Sequence, residues 1–254
     1  MSARSISVAA VQLRAHDRAA YAERWPAILR LIASAAEDGT DLVVVPEGTV
    51  PAYVLGEEPV DPQLLEAARA DVIAISARTN AVIVIGGGRY AGGRLFNSAL
   101  VATPSGIAGS ADKCFLWHFD ARWFARGERL EPIDTPLGRI GAFVCADGRL
   151  PTIASSLVDR GAEILVMPTA WVTSGRDPEQ LENIQADLML AVRARENGVP
   201  VIAANKCGVE ARSVAYCGKS TILAADGTVV GRGSQHQEEI VRGAVAVGPA
   251  LVRR

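Results

Sequence analysis

The sequence predicts one α/β domain in which helices pack outside mixed β-sheets. Short apolar, β-branched runs alternate with segments of helical composition through the first half of the chain, and the last third is mostly strand. No linker, repeat or low-complexity tract interrupts the 254 residues, 49% of which are hydrophobic, so the chain is long enough to bury one large core. We therefore predict a single domain spanning residues 1–254.

The first half supplies alternating strands and helices. SISVAAVQ (5–12) predicts a buried strand, and Gly39 ends an amphipathic helix. The next strand, DLVVVPEG, is expected to stop at Pro46, because proline lacks the amide that a central strand donates. A helix over 62–79 and strands over 81–88 and 95–106 follow. The apolar face of the first helix consists of Tyr21, Trp25, Ile28, Leu29 and Ile32.

The second half continues the alternation before it becomes mostly strand. A helix with Pro151 in its first turn is predicted over 151–161, and a second helix over 178–197. Asp226-Gly227 is typical of a hairpin turn. The predicted strands are 139–144, 163–168, 199–205, 220–225, 228–231 and 238–247.

Composition argues against several classes of protein. The net charge is −2 and the basic residues are scattered, so we expect no nucleic-acid partner. No stretch approaches the roughly 20 apolar residues that cross a bilayer, and the N-terminus lacks a signal-peptide pattern. We therefore expect a cytoplasmic protein without a membrane partner.

The cysteines and histidines predict no metal site. The four cysteines form no C-x-x-C pair, and there are only three histidines. A disulfide between Cys207 and Cys217 stays open at this stage, although free thiols are favoured in a reducing cytosol. We expect no metal and no organic cofactor.

One glycine-rich segment, IGGGRYA, fits the dinucleotide-binding pattern through Gly86, Gly88 and Ala91. It follows a predicted strand, but another strand comes after it where a helix N-terminus should bind a pyrophosphate. The favoured interpretation is a tight connection between strands, and a dinucleotide-dependent oxidoreductase is the weaker alternative.

Three residues suited to chemistry follow predicted strands. Glu47 comes after DLVVVP, Lys113 after a strand and turn, and Cys145 after RIGAFV. Ligands of open α/β sheets gather at the carboxyl ends of strands, so these side chains are expected to converge. Taken singly, each has an ordinary explanation as a solvated loop carboxylate, a surface lysine or a core cysteine.

The segments around these residues carry a family resemblance. VVPEGTVPAY, DKCFLWHFDARWFARG and FVCADGRLP resemble, in this order, the three signature regions of the nitrilase superfamily of carbon–nitrogen hydrolases. RARENGVPVIAANKCG (193–208) and YCGKSTILAADGTVV (216–230) extend the likeness over nearly the whole chain. The resemblance implies a four-layer αββα sandwich, a Glu–Lys–Cys catalytic set and a homodimer or higher homo-oligomer.

The resemblance also implies a role for each residue of the set. Glu47 is expected to take the thiol proton of Cys145, which then attacks a carbonyl or nitrile carbon. Lys113 and the backbone N–H of Ala146 are expected to stabilise the oxyanion. The tight Asp147-Gly148 turn would hold the thiol clear of the sheet.

Two positions depart from the family pattern: Thr152, where an acidic residue often follows the proline of the cysteine motif, and Asp120. Many members have a second glutamate before R-Y/W-F-x-x-G, and DARWFARG places Asp120 there. The shorter carboxylate is predicted to orient the substrate or the attacking water. The alternative is a loop carboxylate that pairs with Arg122.

The residues after the nucleophile bear on the substrate. Cys145-Ala146-Asp147 resembles the amidase and carbamoylase branches more than the nitrilases, so we expect hydrolysis of a small-molecule amide with release of ammonia. N-carbamoyl hydrolysis, nitrile hydrolysis and a non-catalytic binding subunit stay as alternatives. Candidate pocket walls, which the sequence explains equally well as packing under loops, are Trp117, His118 and Trp171.

Overall fold

The computed structural model describes residues 4–173 and 181–248. In chain order the helices are α1 (Tyr21–Ala36), α2 (Pro62–Thr79), α3 (Pro151–Asp159) and α4 (Leu190–Asn197). The strands are β1 (Arg4–Arg14), β2 (Leu42–Val50), β3 (Val82–Ala91), β4 (Arg94–Thr103), β5 (Gly106–Asp112), β6 (Ile133–Thr135), β7 (Gly138–Ala142), β8 (Ile164–Pro168), β9 (Val201–Ala204), β10 (Lys206–Glu210), β11 (Val214–Cys217), β12 (Thr221–Leu223), β13 (Val229–Arg232) and β14 (Glu239–Val247).

Two mixed sheets lie face to face between two layers of helices. One has the order β11-β10-β1-β2-β3-β4-β5, with β14 also paired to β1, and the other has the order β13-β12-β9-β8-β7-β6. Side chains of β1 alternate between two cores, as the period of a strand requires. Val8 and Ala10 belong to the core between the sheets, whereas Ala9 and Val11 pack with α1 and α2. The predicted αββα sandwich is confirmed.

The prediction that the second strand ends at Pro46 is wrong. β2 continues to Val50, but its pairing with β3 is interrupted between Val45 and Val50. Proline has no amide to donate at this point, so the strand loses its regular ladder without ending. Within the interruption the amide of Glu47 donates to Thr169 O just beyond β8, at 3.2 Å. The irregularity therefore directs Glu47 toward the second sheet.

The helix predicted over 178–197 begins later, at Ile184. Residues 178–180 lie outside the described residues, and 181–183 are not helical. Asn183 accepts the amide of Gln185 on its side chain at 3.0 Å, which is the type of bond that caps a helix start. A π-helical turn, Gln185–Met189, then leads into α4.

The other differences concern strands and glycines. Four short strands, β5, β6, β10 and β11, were not predicted. The IGGG segment lies inside β3, and the connection to β4 is made by Gly92-Gly93 instead. The hairpin turn at Asp226-Gly227 is confirmed between β12 and β13. No helix within the described ranges is long and apolar enough to span a membrane.

Candidate active site

Glu47 is fully buried in the irregular half of β2. Its Oε1 accepts hydrogen bonds from Asn97 Nδ2 and Lys113 Nζ, both at 2.7 Å. The backbone of β3 approaches closely here, because a Cβ placed on Gly86 would lie 2.5 Å from Glu47 Cα. Glycine at this position therefore makes room for the carboxylate.

Lys113 follows β5 directly and is also buried. Its backbone is held on both sides, since its amide donates to Asn97 O and its carbonyl accepts from Gly127, each at 2.8 Å. Burial alone would lower the pKa of Lys113, but the negative charges of Glu47 and Asp120 outweigh it and raise the pKa. The ammonium is therefore a permanent cation in the site.

Cys145 begins a single 3₁₀ turn, Cys145–Arg149, three residues after β7 ends. Its φ is +44°, a left-handed conformation that a non-glycine residue adopts at a cost of about 1–3 kcal/mol. Asp147 stabilises this turn by accepting the amide of Val144 on Oδ2 at 3.0 Å, and those of Cys114 and Phe115 on Oδ1 at 3.1 and 2.7 Å. The same carboxylate therefore ties the cysteine turn to the segment that follows Lys113.

The thiol of Cys145 is set up to be protonated at rest. Burial raises its pKa, and the negative charge of Glu47 raises the pKa further. Lys113 and a hydrogen bond from the amide of Ala170 act in the opposite direction, but the net pKa is well above the usual value. Within the described part of the chain, Glu47 Oε2 has no nitrogen or oxygen donor. This oxygen is therefore free to accept the thiol proton when the sulfur attacks.

Asp120 is fully buried and forms part of the same cluster. Its Oδ2 lies 2.6 Å from Lys113 Nζ and accepts the amide of Trp117 at 2.9 Å. Its Oδ1 accepts the hydroxyl of Tyr53 at 2.9 Å. Arg122 is exposed and forms no ion pair with Asp120 among the described residues. The alternative of a loop carboxylate that pairs with Arg122 is therefore wrong.

The candidate pocket residues are only partly brought together. Ala146 is buried beside the nucleophile, and Trp117 is half-buried with the guanidinium of Arg149 5.2 Å from its ring centre. His118 is exposed next to Trp117. Trp171 is buried in the core between the sheets, in the cluster that includes Cys145. Their contact with substrate stays a prediction.

The sequence did not reveal three residues of the site. Asn97 was assigned only to a strand, Asp147 only to a turn and to the Cys145-Ala146-Asp147 motif, and Tyr53 received no role. Tyr53 lies within VVPEGTVPAY, so the resemblance contained a signal for it. Asn97 lies on β4, and its hydrogen bond to Glu47 depends on how the strands pair. The sequence therefore offered no signal for Asn97.

All four cysteines are free, although Cys207 and Cys217 lie opposite each other on β10 and β11. Among the described residues, no three His, Cys, Asp or Glu side chains are grouped to hold a metal ion.

Comparison with known proteins agrees with this geometry. The profile of the carbon-nitrogen hydrolase family matches residues 7–249. The chain belongs to this family, and thus to the nitrilase superfamily. A carbon-nitrogen hydrolase from Helicobacter pylori G27 superposes with a TM-score of 0.82 at 26% identity, over 95% of this chain and 89% of that one.

Curated relatives of this carbon-nitrogen hydrolase include both nitrilases and amidases. An (R)-stereoselective amidase from Pseudomonas sp is 28% identical over 80% of this chain and 72% of its own length. A probable nitrilase from Schizosaccharomyces pombe is 27% identical over 58% of this chain, and the match spans only 52% of that protein. These relatives therefore do not identify the substrate of this protein.

Proposed function

We propose that the protein is a cysteine amidase that hydrolyses small linear amides and releases ammonia. The observation that carries the proposal is the buried cluster in which Lys113 contacts both Glu47 and Asp120 beside Cys145. A buried thiol with an adjacent carboxylate and a fixed cation has the groups that acyl transfer needs.

Acylation begins with the transfer of the Cys145 proton to Glu47 Oε2 as the sulfur attacks the amide carbon. An ammonium has three N–H donors, and two of those of Lys113 are directed to Glu47 and Asp120. The third is left for the oxyanion, together with the backbone N–H of Ala146. The tetrahedral intermediate therefore forms between fixed donors, without reorganisation of charge.

Ammonia leaves when the intermediate collapses. Glu47 returns the proton to the nitrogen, the carbon–nitrogen bond breaks, and a thioester to Cys145 remains. Glu47 then takes a proton from water, whose oxygen attacks the thioester, and the released thiolate is reprotonated. The products are one carboxylic acid and one ammonia, and no step requires a cofactor.

The choice of amide rests on the Cys145-Ala146-Asp147 sequence, which resembles the amidase and carbamoylase branches. The relative named as an amidase supports this choice, whereas the relative named as a nitrilase keeps nitrile hydrolysis as the second candidate. A non-catalytic subunit is disfavoured, because it would have no need to keep three charged side chains buried around a cysteine.

The deciding experiment measures ammonia release from ω-amides, aliphatic amides, carbamoyl amino acids and nitriles, after exhaustive treatment with EDTA. We expect turnover with one class of amide, and a thioester adduct on Cys145 in intact-mass spectra. Cys145→Ala should lose turnover while staying folded, whereas Cys207→Ala, which removes another buried thiol, should keep it. Turnover in Cys145→Ala, or a requirement for added metal, would contradict the mechanism.

We also propose that the protein acts as a cytoplasmic homodimer or higher homo-oligomer, as the family resemblance implies. The helical segment after Asn183 exposes apolar side chains four residues apart, and Ile184 and Leu188 are each 57% exposed and Val192 41%. A second copy of the chain would cover them. Light scattering should give at least a dimer for the wild type and a smaller species for Leu188→Glu. A wild-type monomer at micromolar concentration would contradict this proposal.

A further inference from the structure

A further buried ion pair lies beside the candidate active site. Lys206 Nζ and Glu210 Oε2 are 2.9 Å apart on β10, and both side chains are fully buried. Burying two charges costs several kcal/mol per ion unless further hydrogen bonds satisfy them. The partners of this pair therefore indicate what it holds in place.

Those partners lie at the two ends of one segment. Lys206 Nζ donates to Gly48 O at 2.9 Å, one residue after Glu47. Glu210 Oε1 accepts the amides of Tyr53 and Val54 at 2.9 and 2.6 Å. The ion pair therefore fixes residues 48–54, which lead away from the proposed general base.

The segment delivers one side chain to the catalytic cluster. The hydroxyl of Tyr53 donates to Asp120 Oδ1 at 2.9 Å, and Lys113 Nζ lies 5.8 Å from the centre of its ring. Gly48 permits this approach, because a Cβ at that position would lie 2.6 Å from Tyr53 Cα. Direct contacts thus run from Glu210 through Tyr53 and Asp120 to Lys113.

We propose that Glu210 and Tyr53 are positioning residues for the amidase, with Glu210 holding the Tyr53 backbone so that the tyrosine hydroxyl fixes Asp120, and Asp120 fixes the Lys113 ammonium. This inference rests on the proposed function. In this scheme neither residue touches the reacting atoms. Both act through the placement of the oxyanion donor, where an error of about 1 Å can cost ~10² in rate.

The first test removes one oxygen from each of two buried tyrosines. Tyr53→Phe breaks the bond to Asp120 and should lower kcat about 10- to 100-fold with little change in KM, because the donor acts on the transition state. Tyr21→Phe is the matched control, since Tyr21 is buried on α1 and its hydroxyl has no hydrogen-bond partner among the described residues. Its kcat should stay within about twofold of the wild type. Equal effects of the two variants on kcat would overturn the proposal.

The second test is a double-mutant cycle between Glu210→Gln and Tyr53→Phe, with melting temperatures measured in parallel. The glutamine places a neutral amide opposite Lys206, which loosens the hold on residues 53 and 54. If Glu210 acts through Tyr53, Glu210→Gln lowers kcat in the wild type but adds almost nothing in Tyr53→Phe. Independent effects on kcat, or an effect on melting temperature alone, would overturn the proposal.

A third measurement separates this inference from the proposed function. Absence of turnover on every substrate would contradict the amidase proposal itself. The rate of iodoacetamide alkylation at Cys145 still reports the placement of Lys113, because this cation lowers the pKa of the thiol. Tyr53→Phe should change that rate and Tyr21→Phe should not. Identical alkylation rates in the two variants would overturn the positioning role.

Discussion

Asp120 Oδ2 lies 2.6 Å from Lys113 Nζ, and both side chains are fully buried. This contact accounts for the departure from the family pattern at position 120, because the shorter carboxylate still reaches the lysine. It does so from a 3₁₀ turn, Asp120–Arg122, where Trp117 and Tyr53 donate to the two carboxylate oxygens. The site is therefore built around an aspartate at this position.

Asp120→Asn should lower kcat about 10²-fold, because it removes the charge that fixes Lys113 and can place an amide against the ammonium. Steady-state kinetics and thermal unfolding distinguish this from loss of the fold. Asp120→Glu restores the commoner family residue, but three contacts of 2.6–2.9 Å surround the present carboxylate. We expect it to lose activity as well. Wild-type turnover in Asp120→Ala would remove this residue from the site.

Lys113→Met should cost about 10²–10³ in kcat, the loss typical of a missing oxyanion donor. It also leaves Glu47 and Asp120 buried without their cation, a change that typically destabilises a protein by about 3–5 kcal/mol. Urea unfolding should detect this loss. The double variant Lys113→Met/Asp120→Asn should recover part of this stability, since only Glu47 is then left without its cation, but it should not recover turnover. If only KM changes, the lysine stabilises the bound substrate and the transition state equally, and its proposed role as an oxyanion donor is wrong.

Much of the fold could be predicted because its strands and helices carry strong local patterns. The buried face of α1 was predicted from spacing: Tyr21, Trp25, Ile28 and Ile32 are all buried, and Leu29 is half-buried against the same core. The prediction that the second strand ends at Pro46 was wrong. The missing proline amide shows where regular pairing is lost, but it does not show that the chain continues as an irregular strand. Short strands such as β10 were missed because they contain charged residues. Lys206 and Glu210 are buried in β10, and the local sequence does not predict that burial.

The site could be predicted only as far as its motifs extend. Glu47, Lys113 and Cys145 stand in three recognisable segments, and the structure brings them together. Asn97 joins them because β4 pairs with β3, which pairs with β2, and register between distant strands cannot be read from one sequence.

Gly86→Ala should impair catalysis much more than Gly88→Ala, the same substitution two residues along β3. The new methyl at position 86 would lie 2.5 Å from Glu47 Cα, so the backbone of the proposed base must move. At position 88 the nearest atom is Leu95 Cδ1 at 3.2 Å, the end of a flexible side chain. We expect kcat to fall at least about tenfold in Gly86→Ala but not in Gly88→Ala, because displacing a catalytic group slows the reaction. Equal kcat values would show that the close approach does not position Glu47.

The stability of the cysteine turn should depend on pH through Asp147. Burial raises the pKa of this carboxyl from 3.8 to about 6, although three backbone amides that donate to it act in the opposite direction. Because the folded state binds the proton more tightly than the unfolded state, the contribution of Asp147 to stability is greatest below pH 3.8. This contribution to the free energy of unfolding falls by about 3 kcal/mol as the pH rises to about 6, because a shift of one pKa unit corresponds to about 1.36 kcal/mol. Asp147→Asn cannot titrate, so the difference in unfolding free energy between wild type and variant isolates this group.

Urea unfolding at 25 °C between pH 4 and 7.5 measures that difference. We expect the wild type to lose stability relative to Asp147→Asn up to about pH 6, with a constant difference above that pH. A difference that instead moves in favour of the wild type as the pH rises would mean that the amides of Val144, Cys114 and Phe115 outweigh burial. The carboxylate would then be held ionised, and its link between the cysteine turn and the Lys113 segment would be strongest at neutral pH.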